Sequence, residues 1–399
     1  HKPKFAMSEV NQLTGQRPSV QQVLQRYAQW PEHVQQGAYR TLSKIETCRT
    51  AAQGFHYYGC NETSCNYKEN VYHSCRNRHC PNCGNSKKEE WLESRLKELL
   101  PCKYYHVVFT LPHQLNSLIM GNRKLLFDLL FDASSYTLLK FANDPQYMGA
   151  QPGITSVLHT WGQQLSFHPH MHCIVSGGGT NEANDWIPAK KSKYGSLFPV
   201  QAMEQVYKAY FLKQLRRLKD SKQLKLSYGQ EQQWKALLDG LFRTKWIVYA
   251  KQPFGGPQQV VEYLARYTHK VAISNHRIKK VDKEGNTTFA YKDYSDGNKK
   301  KEMTIPAKEF IRRFEQHILP FRYCKIRHYG YLGNNRRKKK VNAILAKMKL
   351  PQHPVLLTVA ASLRLMEQMG KEAFICPCCG VGHLVKIGSN QTQDEVKRE

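Results

Sequence analysis

Eight soft or borderline metal donors crowd one short stretch: Cys48, His56, Cys60, Cys65, Cys75, His79, Cys80 and Cys83. A segment so rich in donors folds around ions rather than around a hydrophobic stripe. Zinc takes four such ligands in a closed tetrahedral site, so eight suit two ions. Cys80-Pro81-Asn82-Cys83-Gly84 is a knuckle whose tight turn points two thiolates at one metal. Cys60 and Cys65 would complete a ribbon-like site with it, which leaves Cys48, His56, Cys75 and His79 for a second. The alternative is a single zinc, with the remaining cysteines simply buried. Near the far end, Cys376 and Cys379 form a further half-site within Cys376-Pro377-Cys378-Cys379-Gly380, close to His383. Cys324 and His328 are candidates for its other half, and an empty site is the alternative. The expectation is one to three zinc ions, two of them N-terminal.

Charge narrows the partner. Sixty Lys and Arg against 31 Asp and Glu leave a formal charge of +29, spread along the whole length. A polyanion is the natural counterpart. No apolar run approaches the roughly 20 residues that span a bilayer, and no secretory signal stands out. Nucleic acid therefore fits better than a membrane, and a prokaryotic cytoplasmic, nucleoid-associated protein is expected. Clustered cysteines in such a chain favour zinc over disulfides.

The hydropathy pattern predicts an α+β fold around an antiparallel sheet. Helical spacing of Val20, Val23, Leu24 and Tyr27 marks one or two N-terminal helices, and Lys87 to Leu100 reads as a helix ended by Pro101. Strands are expected at Tyr104–Leu111, Ile154–Trp161 and His170–Val175, the last closed by Gly177-Gly178-Gly179. Further strands are expected at Trp246–Ala250, Val271–Ile278 and Thr287–Tyr291. Helices are expected at Leu115–Phe141, Val200–Leu218, Gln230–Phe242 and Gln258–Lys270. Three blocks follow: a helical and zinc-binding domain over 1–100, a catalytic domain over 101–322 with a helical insertion around 200–243, and a basic, knuckle-bearing region over 323–399. The last dozen residues read as disordered.

Two constellations carry chemistry. Within Phe167-His168-Pro169-His170-Met171-His172, strand alternation projects His170 and His172 to one face. An isolated His-x-His is more often a pair of solvent-facing side chains, but the buried run Cys173-Ile174-Val175 marks an interior strand, where idle polar groups are costly. Gln163, seven residues before His170, ranks first as a third ligand because an amide oxygen suits Mg²⁺ or Mn²⁺; Gln164, His168 and Glu262 are rivals. Tyr263 and Tyr267 share one face of the expected helix. Such pairs are commonly packing, yet Arg266 and Lys270 nearby could neutralise a phosphate and activate a phenol.

The chain resembles the rolling-circle, two-tyrosine insertion-sequence transposases of the HUH nuclease superfamily. The resemblance rests on Tyr72-His73-Ser74-Cys75-Arg76-Asn77-Arg78-His79-Cys80-Pro81-Asn82-Cys83, on Thr160-Trp161-Gly162-Gln163 through His172 to Gly179, and on Tyr263-Leu264-Ala265-Arg266-Tyr267. It implies a palm of antiparallel strands with flanking helices. It further implies that a tyrosine attacks single-stranded DNA, becomes linked to the 5′ phosphate and frees a 3′ hydroxyl, with a metal held by His170, His172 and Gln163. Either tyrosine could act first. Hairpin element ends are the expected targets, contacted by Arg76, Arg78, Arg266, Lys270, Arg336, Arg337 and Lys338. No phosphate-binding loop of the Walker type is present, so a host helicase or pre-existing single strands would supply unwinding; the oligomeric state is left open. A plasmid replication initiator or relaxase of the same superfamily, and a noncatalytic zinc protein that binds DNA or RNA, are the competing readings.

Overall fold

A computed structural model describes residues 17–83, 95, 98–190, 195–251, 271–333, 337–351 and 375–390. The strands are β1 Phe55–Cys60, β2 Lys68–Tyr72, β3 Tyr104–Thr110, β4 Gln151–Trp161, β5 Phe167–Thr180, β6 Trp186–Pro188, β7 Val248–Lys251, β8 Ile278–Val281, β9 Thr287–Asp293, β10 Lys299–Ile305, β11 Ile326–Gly330 and β12 Leu384–Asn390. The helices are α1 Val20–Arg26, α2 Gln36–Glu46, α3 Asn116–Gly121, α4 Arg123–Asn143, α5 Val200–Asp220, α6 Tyr228–Gln232, α7 Trp234–Arg243, α8 Ala307–Glu315 and α9 Arg337–Lys347. The fold is α+β with antiparallel sheets. Among the described residues, no helix is long and apolar enough to cross a membrane.

The chain divides into two compact units, His1–Ser86 with Val271–Ile318 and Val355–Glu399, and Lys87–Lys270 with Leu319–Pro354. Each is assembled from separated stretches rather than from three consecutive blocks.

The second unit is built on a six-stranded sheet in the order β11-β4-β5-β3-β7, with β6 on β5. One sheet face carries Val107, Phe109, Ile154, Leu158, Met171, Cys173 and Val175, which join α4 and α5 in the main core. Helix α4 buries residues all around its circumference, from Leu126 to Ala142, as a helix enclosed on several sides must. The expected single helix over Leu115–Phe141 breaks at Asn122, whose side-chain amide donates to the carbonyls of Leu118 and Lys225. Strand β5 runs on through Gly177-Gly178-Gly179 instead of closing there. Those glycines are sites of close approach: a Cβ on Gly178 would lie 2.4 Å from the Trp186 ring, and one on Gly179 would lie 2.5 Å from the Gln151 backbone.

In the first unit, α1 and α2 pack through Val20, Val23, Leu24, Leu42 and Ile45, all buried. Strands β10-β9-β8 form one small sheet and β12-β1-β2 another. Val271 to Ile273 are buried but form no strand; the strand starts only at Ile278, after a 3-10 turn over Asn275–Arg277. Strand β10 is lysine-rich and was invisible to a hydrophobicity pattern, and β12 lies partly in the tail expected to be disordered. The expected helix over Gln258–Lys270 and most of that over Lys87–Leu100 lie outside the described residues.

His328 on β11, a candidate zinc ligand from the sequence, serves the second unit's packing. Arg95 Nη1 lies 3.0 Å from its Nε2 and can only donate, so His328 is neutral and its Nδ1–H donates to Thr155 Oγ1 at 3.0 Å. Burial, reinforced by Arg95 and Arg337, lowers its pKa to about 3. In the unfolded chain the ring takes up a proton near pH 6.5. The unfolded state therefore binds more protons between those values, and folding loses stability as pH falls from about 6.5 toward 3. The predicted slope is about 1.4 kcal/mol per pH unit from this residue. Denaturant unfolding against pH, compared with His328→Gln, measures it: the variant's loss should be shallower by roughly that slope.

Candidate metal and DNA-processing sites

Three clusters of metal-ligating atoms occur among the described residues, each with its donors within 4.8 Å of one another: Cys48, Cys75, Cys80 and Cys83; Cys60, Cys65, Cys376 and Cys379; and His159, His170 and His172.

The two thiol clusters pair differently from the expectation. In the first, Cys48 and Cys83 are 3.5 Å apart, and Cys75 and Cys83 are 3.7 Å apart. In the second, Cys60 and Cys379 are 3.7 Å apart, and Cys65 and Cys376 are 3.8 Å apart. A tetrahedron with zinc–sulfur bonds of about 2.3 Å has edges of about 3.8 Å, whereas a disulfide needs about 2.05 Å. These spacings fit two tetrathiolate zinc sites.

Local structure explains the pairing. Cys48 follows the end of α2, where Gln21 Nε2 donates to the carbonyls of Glu46 and Cys48 at 2.9 and 2.8 Å. Asn82, inside the knuckle, donates to Gln21 Oε1 at 3.0 Å and accepts from Asn275 at 2.6 Å. The helices thus hold Cys48 against the knuckle. Cys60 and Cys65 flank the β1–β2 turn, and β12 pairs antiparallel with β1, Leu384 opposite Cys60. That pairing delivers Cys376 and Cys379, so Cys60 and Cys65 are the missing half of the C-terminal knuckle. The backbone amides of Val381 and Gly382 lower the Cys379 thiol to about 7, favouring the thiolate. Gly382 must be small, since a Cβ there would lie 2.4 Å from Cys60 Sγ.

His56 and His79 join neither cluster: the His56 ring lies 4.3 Å from that of His73 on the sheet, and the His79 amide donates to Asn77 Oδ1. Cys324 is exposed, its thiol donating to the Ile326 carbonyl.

The histidine cluster sits on the sheet face opposite the main core. His159 stands directly across from His170, and His172 across from Val157 on β4 and Val108 on β3. From Ile154 opposite Val175 to His159 opposite His170 the β4–β5 register is unbroken, so alternation along β4 puts Leu158 on the core face and His159 on the His170 face; the bulge falls beyond that pair, between His159 and Trp161. His159 and His172 are buried, and His170 is half-exposed. Trp161 stacks on His159 at 4.6 Å. The His168 carbonyl, 2.7 Å from His170 Nδ1, can only accept, so the His170 proton is on Nδ1 and Nε2 keeps its lone pair for a cation. Burial lowers the His168 pKa.

Gln163 lies in the turn beyond β4, so the residue alongside His170 is His159. The sequence did carry a signal for it: His159 lies on the expected Ile154–Trp161 strand. Tyr263, Tyr267, Glu262, Arg266, Lys270 and Arg336 lie outside the described residues. Arg76 and Arg78 are exposed on the loop between Cys75 and Cys80, and Lys338 is exposed on α9. Arg337 is engaged with buried Glu98 at 2.8 Å.

Residues 153–340 match the family described as "Putative transposase", and residues 19–111 match the "Transposase zinc-binding domain". Among curated proteins, "Putative transposase y4qJ" of Sinorhizobium fredii is 38% identical over 87% of this chain and 88% of its own length. "Transposase for insertion sequence element IS801" of Pseudomonas savastanoi pv. phaseolicola is 29% identical over 76% of this chain and 74% of its own. The chain belongs to the transposases. No solved structure matches it.

Metal analysis of the purified protein should give two zinc ions per chain. Cys80→Ser and Cys376→Ser should each remove one, while His56→Ala and His79→Ala keep both; loss of zinc on replacing either histidine would restore the alternative pairing.

Proposed function

We propose that this transposase nicks and rejoins single-stranded DNA at the ends of its element, with a tyrosine as nucleophile and a divalent cation at the histidine cluster. The observation that carries this reading is the convergence of His159, His170 and His172 on one partly open sheet face. Three imidazoles there are far more than packing requires.

The three histidines fit a cation: their ligand atoms are within 4.8 Å of one another, and the proton position on His170 leaves a nitrogen lone pair available. The all-nitrogen set favours Mn²⁺ over Mg²⁺ in affinity, and Gln163 in the adjoining turn is an additional candidate oxygen donor. A bound cation would polarise the scissile phosphate and stabilise its developing charge. The chain's own residues do the rest. Tyr263 or Tyr267 attacks the phosphorus in line, forming a phosphotyrosine on the 5′ side and releasing a 3′ hydroxyl. A second strand's 3′ hydroxyl attacks that phosphotyrosine, which restores the phenol and joins the strands without ATP. Two tyrosines let one hold an end while the other cleaves. Arg76, Arg78, Arg266, Lys270, Arg336 and Lys338 would hold the DNA backbone, with hairpin ends as targets.

Incubation with labelled single-stranded element ends and Mn²⁺ should yield a covalent protein–DNA adduct, absent from the Tyr263→Phe/Tyr267→Phe double variant. His170→Ala should lower adduct formation by at least about 100-fold while binding of the strand persists. Adduct formation that survives chelation or the double tyrosine change would sink the mechanism and leave a noncatalytic DNA-binding role.

A further inference from the structure

His106, on β3, has no place in the chemistry above, yet it is buried beside it. Its Nε2 lies 2.9 Å from Nδ1 of His172, the two ring planes are 7° apart, and the side chains are 3% and 7% exposed. His106 is not a member of the histidine cluster. The two rings therefore lie edge to edge in one plane, joined nitrogen to nitrogen inside the sheet.

A hydrogen bond between two neutral imidazoles needs one N–H and one lone pair, and each ring owns a single proton. Two arrangements exist. In one, His172 carries its proton on Nδ1 and donates to His106, so Nε2 of His172 offers a lone pair to a cation. In the other, His106 donates, the His172 proton moves to Nε2, and that nitrogen cannot ligate. His170 has no such choice, because a carbonyl oxygen that only accepts fixes its tautomer.

We propose that His106 is a positioning residue that orients His172 and selects its metal-binding tautomer. This rests on the reading of the histidine cluster as a cation site. Histidine ligands usually donate their second N–H to a carboxylate, a carbonyl or water, which locks the tautomer outright. Here the acceptor is a second imidazole, whose Nε2 accepts only while its own proton sits on Nδ1.

The test is Mn²⁺ titration of the full-length, zinc-loaded protein, with free Mn²⁺ read by electron paramagnetic resonance. His106→Leu removes the acceptor and should weaken Mn²⁺ binding about 10- to 100-fold, with zinc content and unfolding midpoint close to the parent's. His106→Gln places an amide oxygen near the position of Nε2 and should recover most of that loss. Unchanged affinity in His106→Leu, or equal losses in the Leu and Gln variants, would overturn the proposal. His170→Ala and His172→Ala separate the two ideas: if both bind Mn²⁺ like the parent, the cation site itself is wrong and the role of His106 falls with it. If both lose binding while His106→Leu does not, only the positioning role fails.

Discussion

One stretch of unbroken β ladder decides what this sheet can do. From Ile154 opposite Val175 to His159 opposite His170 the β4–β5 register is continuous, and side-chain direction in a strand depends on odd and even position alone. Slipped by one residue, β4 would turn His159 to the face that packs on α4 and α5, where an imidazole would be an expensive intrusion. In the register observed, three imidazoles meet on the opposite face, while Ile154, Leu158, Met171, Cys173 and Val175 reach the main core. The histidine cluster and the core packing are thus settled by the same register.

That feature also marks the limit of what could be read from sequence. Alternation along β5 placed His170 and His172 on one face, because it requires only the residue period. Pairing His159 with His170 requires the register of two strands across a turn, which leaves no mark in hydropathy. A smooth hairpin would bring Gln163 alongside His170, whereas it lies in the turn beyond β4. The strand that carries His106 was legible and its neighbours were not, since an antiparallel sheet order is set by tertiary contacts.

The cysteines show a related division. Their identity as zinc donors was apparent from spacing, but partners were assigned by nearness along the chain. The fold instead pairs Cys60 and Cys65 with Cys376 and Cys379, because β12 docks on β1. Long-range strand pairing of this kind is invisible to a reading that moves from left to right, and β12 is too exposed and too glycine-bearing to announce itself as a strand.

The ribbon made by β12, β1 and β2 fixes an order of events during synthesis. Cys65 and Cys376 are 311 residues apart, which at ribosomal rates is on the order of 15 to 60 s. Until that interval has passed, the early hairpin carries two thiols with no partners, while the Cys48 cluster already holds all four of its donors. The four donors of the Cys48 site are thus complete in the nascent chain well before those of the Cys60 site, which wait for Cys376 and Cys379.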